Sequence, residues 1–145
     1  MKALVVEKKE ALEQAAQQLL QWSKGGKKWA FVGEIGAGKT SLIQALCIRL
    51  GVEQEVLSPT FSLVNEYGHP AGRIYHIDLY RLHDLEEALD IGIENYLYDD
   101  QYCFIEWPQL VEDLLPEDTI FIKLEIIGDS ARKILFLANE DTEHT

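Results

Sequence analysis

Gly33-Glu34-Ile35-Gly36-Ala37-Gly38-Lys39-Thr40 is a glycine, four residues, then Gly-Lys-Thr, with Ser41 directly behind. That spacing is the phosphate-loop pattern. Glycines let the backbone take turns that a Cβ would forbid. The N–H groups of such a loop converge on an anion at a helix N-terminus. In that arrangement Lys39 reaches the β- and γ-phosphate oxygens of a nucleotide, and the Thr40 hydroxyl ligates Mg²⁺. The expected nucleotide contacts are therefore Gly33, Glu34, Ile35, Gly36, Ala37, Gly38, Lys39, Thr40 and Ser41.

The flanks fit. Lys28-Trp29-Ala30-Phe31-Val32 before the loop is an aromatic and apolar run typical of a buried strand. Ser41 to Leu50 after it reads as a helix, with Leu42, Ala45, Leu46 and Leu50 on its inner face. Strand, loop and helix in that order predict an α/β P-loop NTPase fold. Its central sheet is expected to be mostly parallel, with helices on both faces and added antiparallel strands.

The 145 residues suit one domain over 1–145, with 139–145 as a frayed acidic tail. Hydrophobic and charged shares of 47% and 26% are those of a globular protein, and no apolar run reaches the length of a membrane span. The start of the chain turns charged too early for a secretory signal, so a cytoplasmic protein is expected. Cys47 and Cys103 lie inside apolar runs and read as reduced core thiols. A net charge of −12, with Lys24, Lys27 and Lys28 as the one lysine cluster, disfavours tight nucleic-acid binding by the chain alone. An acidic surface suits docking on a basic partner.

Outward from the loop, Leu4-Val5-Val6 reads as a strand. Residues 9–22 read as an amphipathic helix with Leu12, Ala15, Leu19 and Trp22 on its core stripe. Thr60, in a Pro59-broken loop about 20 residues past the phosphate loop, is a candidate switch residue or a plain turn residue. Residues 62–67 and 73–80 predict two antiparallel strands around a Gly68–Gly72 loop. Asp78 falls at the end of the second, where it could hold Mg²⁺ through water or orient an attacking water. His76, on the same side, reads better as a core histidine than as a site residue. Asp84 and Glu87 form a capping box for a short helix. Tyr102 to Glu106 is an apolar strand ending in an acid, the usual Mg²⁺-holding or water-polarising partner of a phosphate loop. Replacing Glu106 by Ala is expected to spare folding and abolish Mg²⁺-dependent hydrolysis. Residues 119–126 and 133–137 supply two more strands.

Together these residues resemble the TsaE (YjeE) family of small bacterial P-loop ATPases, over nearly the whole chain. Four blocks carry the likeness: Gly33 to Ser41, Ser58-Pro59-Thr60-Phe61, His76-Ile77-Asp78-Leu79-Tyr80-Arg81-Leu82 and Ile105-Glu106-Trp107-Pro108. Ile35 and Gln109 depart from the family's usual Leu and Glu. The resemblance implies Thr40 and Glu106 as Mg²⁺ ligands, Lys39 on the phosphates, and Thr60 as nucleotide sensor. It implies Asp78 in support of hydrolysis, with Asp78, Glu106 and Lys39 as the catalytic set, and Trp107 near the nucleotide. The implied cofactors are ATP and Mg²⁺, and the implied partners are the TsaD and TsaB subunits. tRNA is then met only through that assembly, which ATP hydrolysis resets between turnovers.

Two other classes compete: a small-molecule P-loop kinase and a nucleotide-gated binding module. A kinase needs arginines over the transferring phosphoryl group. The chain has Arg49, Arg73, Arg81 and Arg132, and along the sequence Arg81 alone lies beside a catalytic motif. That scarcity predicts slow hydrolysis by the isolated chain. No guanine-selecting Asn-Lys-x-Asp pattern is present, which favours ATP.

Overall fold

The computed structural model describes residues 1–57, 59 and 63–138. In chain order the elements are β1 (Lys2–Val6), α1 (Leu12–Ser23), β2 (Lys28–Val32), α2 (Lys39–Leu50), β3 (Val64–His69) and β4 (Gly72–Asp78). Then follow α3 (Leu85–Asp90), α4 (Ile93–Tyr98), β5 (Tyr102–Glu106), β6 (Ile120–Ile126) and β7 (Arg132–Leu137). One 3₁₀ turn precedes α1 (Lys9–Ala11), and a 3₁₀ stretch, Pro108–Leu114, follows β5.

The seven strands among the described residues share one sheet in the order β1-β7-β6-β2-β5-β4-β3. The four central strands β6, β2, β5 and β4 run parallel. On one edge β7 and β1 add by antiparallel pairing, and on the other β3 does. The expected α/β architecture is therefore present, with one refinement. β4 belongs to the parallel body as well as to the hairpin, because it pairs in register with β5.

Strand alternation divides the core in two. Phe104 of β5 faces a cluster holding Trp29, Phe31, Ile122 and Phe136 together with Leu19 of α1 and Leu42, Ile43 and Leu46 of α2. Its neighbours Cys103 and Ile105 face the opposite cluster, which holds Ala88 of α3, Ile93 and Leu97 of α4, and Val111. Helices thus cover both faces. Trp29 and Phe31 meet Phe104 edge-on at 5.6 and 5.8 Å between ring centroids. Such pairs contribute about 0.5–1.5 kcal/mol each beyond area burial. They fix β2 against β5, the two strands whose ends carry the site.

Three expectations shift. The inner face of α2 is Leu42, Ile43, Leu46 and Cys47, while Ala45 and Leu50 pack at its margin. A helix with a β-sheet below and α1 beside it buries a broader stripe than one face implies. The β3–β4 loop is shorter than Gly68–Gly72, because pairing runs out to His69 opposite Gly72 and leaves Pro70-Ala71 as the turn. Asp84 does accept the Glu87 N–H at 3.0 Å, but the Glu87 carboxylate returns to the His83 N–H, one residue before the expected one. Both cysteines are free and buried, and burial pushes their thiols up to about 12, which leaves them inert. Among the described residues no helix is long and apolar enough to cross a membrane.

Candidate functional site

The carboxyl ends of β2, β4 and β5 meet on the face that α2 covers. β2 ends at Val32 and the chain enters the glycine loop. Gly33 has φ +154°, and a Cβ there would lie 2.8 Å from the Leu124 carbonyl oxygen of β6. Any side chain would push the loop off the sheet. Gly38, at φ +98°, turns the chain into α2 in a left-handed conformation that disfavours a Cβ. Between them the Ala37 N–H closes on the Glu34 carbonyl at 3.0 Å. Thr40 and Ser41 then sit in the first turn of α2.

Lys39 is buried, and its ammonium donates to the Gly33 and Glu34 carbonyls, the latter at 3.1 Å. It also stands 4.1 Å from the centroid of the Trp107 ring, a cation–π contact. Burial pulls its pKa below the ordinary lysine value, opposed by the charges of Glu106 and Asp78. Trp107 takes φ +57° and ψ +61°, a left-handed backbone at a bulky residue. Such strain persists where the surroundings over-determine it. Here Pro108 follows directly, and Tyr80 packs on the ring with centroids 4.9 Å apart.

Glu106 ends β5 and is buried. The Thr40 hydroxyl donates to its carboxylate, with oxygens at 2.9 and 3.1 Å. Asp78 is level with Glu106 in the β4–β5 register, so both side chains leave the sheet on one face. Asp78 Oδ1 accepts the Tyr80 N–H at 3.0 Å. Its pKa is raised, first by burial and then by the negative charge of Glu106, against the Tyr80 N–H and the nearby His76 and Lys39. A cavity of about 400 Å³ opens over these groups, lined by Ile35, Gly36, Gly38, Lys39, Thr40, Ser41, Asp78, Tyr80, Glu106 and Trp107. A second, of about 280 Å³, shares Gly36, Gly38 and Ser41 with it and extends toward Lys9, Leu12 and Arg132.

Most of the expected set is therefore gathered in one place. Gly33 and Ala37 lie under the loop rather than on the larger cavity, and the Glu34 side chain points to solvent. Thr60 lies outside the described residues. A hydroxyl and a carboxylate are hard oxygen donors that suit Mg²⁺. No cluster of three or more His, Cys, Asp or Glu able to hold a metal exists among the described residues.

Two residues take a place in this constellation that the sequence reading did not give them, His76 having been read as core and Arg132 not tied to the loop at all. His76 is buried as a core histidine should be, but its Nε2 lies 2.7 Å from Glu106 Oε2. Its period-2 alignment with Asp78 was the available signal. Arg132, at the start of β7, donates from Nε to the Ala37 carbonyl at 3.1 Å and from Nη2 to the Gly36 carbonyl at 3.2 Å. Its Nη1 holds the Gly128 and Ala131 carbonyls of the β6–β7 turn. Sequence adjacency favoured Arg81, whereas in space Arg132 braces the phosphate loop from 95 residues away. The expectation for Glu106→Ala also changes, since removing the carboxylate strands both His76 and Thr40.

The model of the family described as threonylcarbamoyl adenosine biosynthesis protein TsaE matches residues 6–134. The tRNA threonylcarbamoyladenosine biosynthesis protein TsaE of Bacillus subtilis is 35% identical, the alignment covering 81% of this chain and 73% of that protein. The protein of the same name from Treponema pallidum is 35% identical over 85% of this chain and 96% of its own length. That from Aquifex aeolicus is 34% identical over 92% and 94%. The crystal structure of Bacillus subtilis YdiB superposes with a TM-score of 0.73 at 25% identity, covering 99% of this chain and 88% of that one.

Proposed function

The chain belongs to the TsaE family of tRNA threonylcarbamoyladenosine biosynthesis proteins, and from that premise we propose that it is a Mg²⁺-dependent ATPase. It acts as a subunit that hydrolyses ATP to reset a TsaD–TsaB assembly between turnovers. One observation carries this reading: the strand-end carboxylate Glu106 hydrogen-bonds the phosphate-loop hydroxyl of Thr40. Two oxygens from opposite sides of a glycine loop converge at the point where a phosphate-bound Mg²⁺ is held in this type of site.

Each residue has a task. The loop N–H groups bind the phosphates, and Lys39 leaves its own loop carbonyls to meet the β- and γ-oxygens. Thr40 and Glu106 would hold Mg²⁺. Bound there, the ion neutralises phosphate charge and orients the terminal phosphoryl group. Asp78, whose carboxyl keeps its proton more readily than usual, is suited to orient or deprotonate the attacking water. Trp107 and Tyr80, packed on each other, form one side of the cavity. None of these is an arginine aimed at the transferring phosphoryl group, so the isolated chain is slow and a partner completes the site. With its −12 charge the chain meets tRNA through its partners.

The test is Mg²⁺-dependent ATP hydrolysis with and without purified TsaB–TsaD. A slow basal rate that rises with the pair supports the proposal. A rate indifferent to the pair favours a small-molecule kinase, to be pursued by screening phosphoryl acceptors. Nucleotide binding without hydrolysis in either condition favours a nucleotide-gated binding module.

A further inference from the structure

His76 has no task in the chemistry above, yet among the described residues it is the one fully buried titratable group that touches it. Its ring is 0% exposed. It projects from β4 on the face shared with Ile74 and Asp78, two residues to either side. Nε2 meets Glu106 Oε2 at 2.7 Å, and Nδ1 has no hydrogen-bond partner among the described residues.

The ring's two nitrogens therefore have unequal fates. A hydrogen on Nδ1 would be buried with nothing to receive it, which is costly. A hydrogen on Nε2 points at a carboxylate oxygen. The arrangement selects the Nε2–H form, with Nδ1 carrying only its lone pair. Thr40 also donates to the same carboxylate, so Glu106 is clamped between a strand neighbour and the phosphate loop.

We propose that His76 is a positioning residue: by donating from Nε2 it holds the Glu106 carboxylate in the orientation that presents it, with Thr40, to a nucleotide-bound Mg²⁺. The inference rests on the nucleotide–metal reading of the site and adds to it an outer group that aims the metal-facing one. Partners of this kind commonly change metal affinity by about 10–100-fold when removed. His76 itself touches neither metal nor phosphate.

The experiment titrates Mg²⁺ into the full chain at fixed concentration of a fluorescent, non-hydrolysable ATP analogue. Parallel titrations of the analogue are made in EDTA. His76→Met fills the space and removes the donor. His76→Gln keeps an N–H within reach of the carboxylate. The Met variant should need about 10–100-fold more Mg²⁺ for half-saturation, while its affinity in EDTA stays within about twofold. The Gln variant should recover most of the difference. An unchanged Mg²⁺ requirement in His76→Met overturns the proposal, and so does an equal loss in both variants. Should the Met variant fail to fold, ¹⁵N NMR of the wild-type imidazole decides. An Nε2–H, bare-Nδ1 signature supports the assignment, and the opposite tautomer overturns it. Failure of the underlying reading is distinguishable, because then the wild-type chain itself binds the analogue indifferently to Mg²⁺.

Discussion

Lys28 and Lys39 are both buried lysines; Lys28 opens β2, and Lys39 opens α2 beyond the glycine loop at the other end of that strand. At the start of β2 the Lys28 ammonium donates to the Tyr96 carbonyl at 2.9 Å, the Asp99 carboxylate at 2.7 Å and the Gln101 carbonyl at 2.6 Å. Its three donors are satisfied, one by an opposite charge. Past the end of β2, Lys39 has two carbonyls of its own loop and an aromatic face. Among the described residues it has no carboxylate within ion-pair distance, although Asp78 and Glu106 both act on it through their charge. The first lysine is closed and the second is held open. A closed buried charge belongs to structure, because its partners are fixed within the chain. An open one keeps its capacity for something that arrives.

Their carboxylates repeat the contrast. Burial raises Asp99, but the Lys28 hydrogen bond and charge, with the Gln101 N–H, bring it net below its ordinary value of 3.8. Asp78 ends above the same value. One end of the sheet resolves its charges and the other leaves them unresolved, as functional sites do.

Substitutions can break the comparison, and Lys39→Met gives the largest effect. It should cost about 10²–10³-fold in ATP turnover, through lost phosphate stabilisation. Thermal stability should hold or rise, because a desolvated charge is removed. Glu106→Ala comes next. It should lower Mg²⁺-dependent turnover by about 10²-fold and, by leaving His76 and Thr40 without their acceptor, cost about 1–3 kcal/mol in chemical denaturation. Retained hydrolysis would shift the catalytic acid to Asp78.

Lys28→Met reverses the pattern. Two carbonyls and a partly exposed Asp99 lose their donor, so unfolding should come about 2–3 kcal/mol earlier with nucleotide affinity unchanged. Arg132→Met, which frees the loop from its brace, should weaken nucleotide binding by about tenfold or less in equilibrium titration, since it alters loop placement and removes no ligand.

The smallest effect is in pH dependence. Asp78 binds its proton more tightly folded than unfolded. That favours folding below pH 3.8 and is lost as pH rises through the elevated folded value. Asp78→Asn should therefore raise the melting temperature at pH 7 and leave it unchanged near pH 3. For Asp99 the sign is opposite: its contribution is present above pH 3.8 and lost as pH falls through the depressed folded value. Asp99→Asn should lower the melting temperature at pH 7, by a difference that shrinks as pH falls through the depressed folded value.

Local physics made much of this legible. The glycine loop imposes its own backbone, and the runs Lys28 to Val32 and Tyr102 to Glu106 are apolar enough to be central strands. The acid ending the second run needs only parallel pairing with the first to fall beside Thr40. What the sequence hid was set by distance and register. Arg132 reaches the loop because β7 pairs with β6 and its side chain spans the turn between them, which no local pattern encodes. His76 combined a core environment with a site partner, and burial alone pointed to the first. The extra reach of the β3–β4 pairing depends on hydrogen bonds between strands, which composition does not carry.

The most direct test is calorimetric titration of ATP with Mg²⁺ into three proteins side by side: wild type, Lys28→Met and Lys39→Met. The predicted result is wild-type affinity in Lys28→Met despite its lower stability, and affinity reduced by about 30-fold or more in Lys39→Met despite its intact fold. Equal affinities in wild type and Lys39→Met, or a loss confined to Lys28→Met, would contradict the assignment of the open end of the sheet as the nucleotide site.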